Sequence, residues 1–152
     1  MVMNKRGYAK LVDFGHAETN VTYTTPMFDK LGTKQYKAPE YFEKGPIWRF
    51  VDFWALAVSL HIMIVGKHIQ MEDKRVLIDK KHLSDAAQHL LEQMFQQDPF
   101  SRLGSSRRGA KEIKEHPFFE DFDWERLENG SLMPPKLKIP SVKPYLKFIV
   151  KL

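Results

Sequence analysis

The chain has 152 residues, 43% hydrophobic and 28% charged, with no cysteine. That is enough for one ordinary domain with a core of its own, and it excludes disulfides and cysteine-ligated metals. The net charge of +5 is local: residues 129–152 carry five lysines and no acid, and residues 1–128 are neutral. A nucleic-acid reader would need a basic face on the fold itself, so we expect no nucleic-acid partner. The basic segment reads as a solvated tail.

In chain order, Met1-Val2-Met3 and Tyr8-Ala9-Lys10-Leu11-Val12 are short β-prone runs around the turn-forming Asn4–Gly7, which predicts a hairpin. Asp13 to Tyr36 is polar, Thr-rich and without a period. Segments of that length without structure of their own are usually functional or disordered. Pro39-Glu40-Tyr41-Phe42 opens a short helical stretch that Gly45-Pro46 stops.

A helix is expected from about Val51 to Val65, apolar nearly all round, as suits the centre of a core, with Gly66 ending it. The apolar run Phe50–Val65 is broken by Asp52, Ser59 and His61, and it is shorter than the roughly 20 residues of a bilayer span. No transmembrane segment and a cytoplasmic setting are expected. Ser84 is a good N-cap for a helix with Leu90, Leu91, Met94 and Phe95 on one face, closed by Asp98-Pro99. A last helix is expected over about Gly109–Glu115, with an extended, Pro-containing tail after Trp124. The fold class is mainly α with one short hairpin.

Asp13-Phe14-Gly15 follows a predicted strand, and Ala38-Pro39-Glu40 comes after 22 intervening residues. This arrangement resembles the two ends of a protein-kinase activation segment. Gly32–Glu40 is similar to the kinase GTPEYxAPE run, Val51–Val58 to VDxWSLGV, Asp98–Gly104 to DPxxRLG, and His116–Phe119 to HPFF. Arg6–Gly15, Phe122–Leu127, Asn129–Leu132 and Pro134-Pro135 look most like the AGC group of serine/threonine kinases, the cGMP-dependent kinases in particular. The resemblance covers about residues 1–142. It is poor from Lys67 to Leu83, and the AGC hydrophobic tail motif is not present.

The resemblance implies a kinase C-terminal lobe over residues 1–128, with residues 129–152 as a truncated AGC-type tail. It implies ATP and magnesium as the family's cofactors, with Asp13 at the magnesium position. For this chain alone none is expected and no catalytic residue is assigned, because the glycine-rich loop, the ATP-pairing lysine and the general-base aspartate are not in these 152 residues. Phosphoryl transfer depends almost wholly on positioning and charge stabilisation. Glu40 and Arg102 resemble a buried ion pair that ties the activation segment to the lower helices. Asp52 resembles the aspartate that receives the catalytic-loop backbone, and Thr33 the threonine beside the catalytic base. Asp29 falls at the activation-loop phosphothreonine, where a carboxylate is a weak charge mimic or a solvated replacement. Glu18, Lys37 and Ile62 depart from the family's phosphate- and substrate-binding residues. These features imply a kinase-like fragment or pseudokinase, inactive alone. The alternatives are a truncated active kinase of the cyclic-nucleotide-dependent type and a non-catalytic interaction module. An uncovered apolar face on the central helix suggests a protein partner or self-association.

Overall fold

A computed structural model describes residues 1–4 and 6–135. The lysines expected to make the tail basic lie outside the described residues. The chain divides into two compact units, one of Met1–Phe14 with the segment from Asp123 onward, the other of Gly15–Phe122.

In the first unit, β1 (Val2–Met3) and β2 (Ala9–Lys10) pair antiparallel, with Val2 opposite Lys10 and Met3 opposite Ala9. Asn4 organises the turn: its side-chain oxygen accepts from the backbone N–H of Arg6 and of Tyr8, at 2.9 and 3.0 Å. The Tyr8 hydroxyl donates to the Leu132 carbonyl at 2.6 Å and so ties the hairpin to the later chain.

The second unit is built on α1 (Val51–Val65), which ends on Gly66 in the left-handed conformation (φ 78°). Glycine reaches that region without a Cβ penalty. Val51, Trp54, Ala57, Val58 and His61 form the buried face of α1. Asp52, Leu56 and Met63 lie on the opposite, exposed stripe, so a helix apolar nearly all round is buried on one face.

β3 (Gln70–Glu72) and β4 (Arg75–Leu77) form a second hairpin that the sequence reading did not contain. Its two-residue loop, Asp73-Lys74, has positive φ at both positions, the geometry that matches strand twist in tight hairpins. The mainly helical fold therefore carries two short hairpins.

α2 (Asp85–Met94) begins as expected, with the Ser84 hydroxyl accepting from the Ala87 N–H. It stops at Met94, earlier than Asp98-Pro99. Asp98 instead caps the next turn, accepting from the Phe100 N–H at 3.1 Å and the Ser101 hydroxyl at 2.6 Å. α3 (Ala110–Lys114) falls within its expected range. In the first unit, α4 (Trp124–Glu128) begins at the residue after which an extended segment was expected, and it ends before residue 129, with Asp123 accepting from the Arg126 N–H.

The core of the second unit joins Trp54, Ala57 and Val58 of α1 to Leu90, Leu91 and Met94 of α2, with Ile47, Phe95 and Ile113. Phe95 meets the Trp54 ring edge-on at 5.0 Å between centroids. One antiparallel bridge, Met27 with Ile47, ties the long 13–40 segment to this core through two backbone bonds of 2.8 and 2.7 Å.

Candidate functional site

The second half of the 13–40 segment is held from inside. A short 3-10 turn over Lys34–Tyr36 follows Thr33, whose carbonyl accepts from the Tyr36 N–H at 3.1 Å. A second turn, Pro39–Phe42, starts on Pro39, a residue suited to an N-terminal position because it has no N–H to leave orphaned. This turn buries Glu40.

Glu40 is 5% exposed and Arg102 is 1% exposed. Arg102 Nη1 donates to Glu40 Oε1 at 2.8 Å, and Nη2 donates to Oε2 at 3.1 Å. This fork-on-fork geometry is available to a guanidinium and not to an ammonium. The same nitrogens reach the Phe50 and Gln96 carbonyls, each at 3.3 Å. The guanidinium carbon lies 5.1 Å from the Trp54 ring centre. One arginine thus joins the Pro39–Phe42 turn, the entry to α1 and the exit from α2.

Two lysines complete the anchoring. Lys30 Nζ donates to the Glu40 carbonyl at 3.0 Å and also to the Glu43 carbonyl. Lys37 Nζ donates to the Lys30 carbonyl at 2.7 Å and lies 5.2 Å from the Tyr41 ring centre. Sequence reasoning missed Lys30, because a lysine in an aperiodic polar stretch carries no pattern. Burial raises the Tyr41 hydroxyl above its ordinary value, and the Asp52 and Glu40 charges add to that.

Asp13, Asp29 and Thr33 are exposed, and the Asp29 and Thr33 side chains have no hydrogen-bond partner among the described residues. Asp13 has φ 67°, a region that aspartate tolerates better than most residues. Asp52 is also exposed, in the first turn of α1, where a carboxylate suits the helix dipole. The surrounding bulk nevertheless raises its carboxyl above the usual range. Ile62 packs against the core. The structure therefore brings together Glu40 and Arg102 but does not bring Asp29 or Thr33 to either.

Magnesium asks for one or two carboxylates together with phosphate oxygens. Asp13 is a single open carboxylate, and no group of three or more His, Cys, Asp or Glu among the described residues is placed to hold a metal. Among the described residues, no helix is long and apolar enough to cross a membrane.

Comparison with known proteins identifies the family. Residues 1–119 match the protein kinase domain model, and the chain belongs to the protein kinase family. It is 31% identical over 94% of its length to a probable serine/threonine-protein kinase of Dictyostelium discoideum. It is 32% identical over 89% to ribosomal protein S6 kinase 2 alpha of Xenopus laevis, and 30% identical over 89% to serine/threonine-protein kinase N2 of Danio rerio. The chain spans 33%, 20% and 15% of those three proteins respectively.

Proposed function

We propose that this chain forms the C-terminal lobe of an AGC-type serine/threonine kinase fold, in a cytoplasmic setting, and does not transfer phosphate by itself. The observation that carries the reading is the contrast between the two sets of family residues. The lobe-holding group of Glu40, Arg102 and Trp54 is buried, with Arg102 bonded to both Glu40 oxygens and set over the Trp54 ring. Of the residues that handle ATP, only Asp13 has a counterpart in these 152 residues. Removing one preorganised donor can already cost about 10²–10³ in rate, so a lone carboxylate leaves no catalyst. Lys37, tied to Lys30 and set over Tyr41, and Ile62, packed on the core, favour loss of the family's preference for basic substrates. Likeness to the cGMP-dependent kinases rests on Arg6–Gly15, Phe122–Leu127, Asn129–Leu132 and Pro134-Pro135. Asp29 supplies one fixed charge in place of a phosphate's near two.

The test is incubation of the purified chain with labelled ATP, magnesium and a basic peptide. No transfer is expected. Transfer that Asp13→Ala abolishes would overturn the reading.

A second reading is favoured by the coverage, since the chain aligns nearly end to end yet spans a third or less of its relatives. In it, these residues are the C-terminal part of an active cyclic-nucleotide-type kinase, and Asp13 serves as its magnesium ligand. An in-frame His-Arg-Asp motif upstream of Met1 in the transcript would decide for it.

A further inference from the structure

A surface cavity of about 280 Å³ opens at the start of α1, and Arg49, Asp52, Arg107, Arg108 and Gly109 are among its lining residues. It lies wholly in the 15–122 unit, close in sequence to the anchor, since Arg49 precedes Phe50, whose carbonyl Arg102 reaches, and Arg107 and Arg108 follow Arg102. Of the residues named, only Asp52 has a role that the family resemblance implies. Three arginines and one aspartate are among the lining residues, so the lining carries a surplus of positive charge.

Those cations are unevenly occupied. Arg49 is half-buried, with Nη2 donating to the Ser106 carbonyl at 3.3 Å. Its Nε is buried and has no hydrogen-bond partner among the described residues, and an unmet buried donor is costly. Arg107 makes no ion pair among the described residues. Arg108 pairs with Glu115, but both side chains are about half exposed (54% and 48%). Such pairs are weak and are redirected cheaply. At Gly109 the backbone comes close to Arg49: a Cβ there would lie 2.9 Å from Nη2. The missing side chain leaves the guanidinium its place in the cavity wall.

We propose that this cavity binds a phosphate-type oxyanion, with Arg49, Arg107 and Arg108 as its donors. Guanidinium forks match the spacing of phosphate oxygens, and a charged acceptor strengthens each bond. The volume accommodates a phosphoryl group together with the carbon that bears it. Free phosphate and a phosphorylated serine side chain share this chemistry. Asp52 opposes the anion and limits its affinity.

Calorimetric titration of the 152-residue chain at fixed ionic strength would use inorganic phosphate in one arm and a short phosphoserine peptide in the other. The unphosphorylated peptide and chloride are the controls. Saturable binding is expected in at least one arm. Binding in the peptide arm identifies a protein-borne phosphate, and binding in the phosphate arm alone identifies the free ion. The exposed double variant Arg107→Gln/Arg108→Gln should keep its fold and bind about tenfold or more weakly, from the loss of charge-assisted bonds. Asp52→Asn should bind more tightly. No saturable binding in either arm, or equal binding by parent and double variant, would overturn the proposal.

Discussion

The Arg102 guanidinium carbon lies 5.1 Å from the centre of the Trp54 ring while both terminal nitrogens are committed to Glu40. The aromatic face thus lines the same buried space as the ion pair. Removing one partner of such a pair strands the other charge, typically at a cost of about 3–5 kcal/mol. Arg102→Ala should destabilise the chain by that amount. Arg107→Ala, on the surface, should stay within about 0.5 kcal/mol. Chemical denaturation of both variants checks this, and equal shifts would contradict the burial of the pair.

Gly104 has φ 93°, and a Cβ there would fall 2.6 Å from Phe53 Cδ2. Gly130 also has positive φ (73°) but nothing within 4 Å of the same position. Gly104→Ala therefore adds overpacking, about 1–3 kcal/mol, to a backbone cost that Gly130→Ala shares. Thermal unfolding should rank Gly104→Ala clearly below Gly130→Ala, and the opposite order would refute the close approach.

Two methionines separate the faces of the second unit. Met94 is fully buried and Met63 is 63% exposed. Met94→Ala should cost about 2–5 kcal/mol, whereas Met63→Ala should stay within about 0.5. A large loss at Met63 would mean that the outer stripe of α1 is covered in solution. Sizing chromatography at several concentrations would then show whether a second copy covers it.

His116 and His89 approach with their ring nitrogens 2.8 Å apart. His116 Nδ1 accepts the Phe118 N–H at 3.1 Å, which leaves its own proton on Nε2, pointed at His89 Nδ1. A second proton would have to enter on Nδ1, against the Phe118 N–H. Burial first, and then the His89 charge, hold His116 below the ordinary histidine value of 6.5. The unfolded chain then binds more protons than the folded one as pH falls through about 6.5, so stability falls with it and levels off below the folded value. Denaturant midpoints should drop between about pH 7.5 and about pH 5.5, and drop less in His116→Asn, which keeps an acceptor for the Phe118 N–H. Identical slopes for parent and variant would rule this out.

Local signals made α1 and the start of α2 legible in the sequence. A long apolar run stopped by Gly66 and a serine ahead of an amphipathic stretch need no tertiary information. The second hairpin was not legible, because its turn places Asp73 and Lys74 where glycine or asparagine usually announces positive φ. The end of α2 was misplaced because Asp98 serves the turn after it, and the Gln96 carbonyl is turned to Arg102 instead of to a further helical turn. α4 was hidden because its five residues, Trp124–Glu128, are too short to show a helical period. At the site, Glu40 and Arg102 are 62 residues apart, and only family resemblance joined them before the fold did. Lys30 and the arginine-lined cavity have no such pattern, since each depends on where the chain folds back on itself.

The Met27–Ile47 bridge splits the long polar segment into two stretches, only the second of which trypsin can read. Between Asp13 and Asp29 there is no lysine or arginine, so trypsin is blind to that stretch, while Phe14, Tyr23 and Phe28 offer it to chymotrypsin. Beyond the bridge the basic residues Lys30 and Lys37 have their ammonium groups engaged with backbone carbonyls, and Lys34 is exposed. In a tryptic time course a nick after Lys34 should therefore come before nicks after Lys30 or Lys37, which mark release of the stretch behind the bridge.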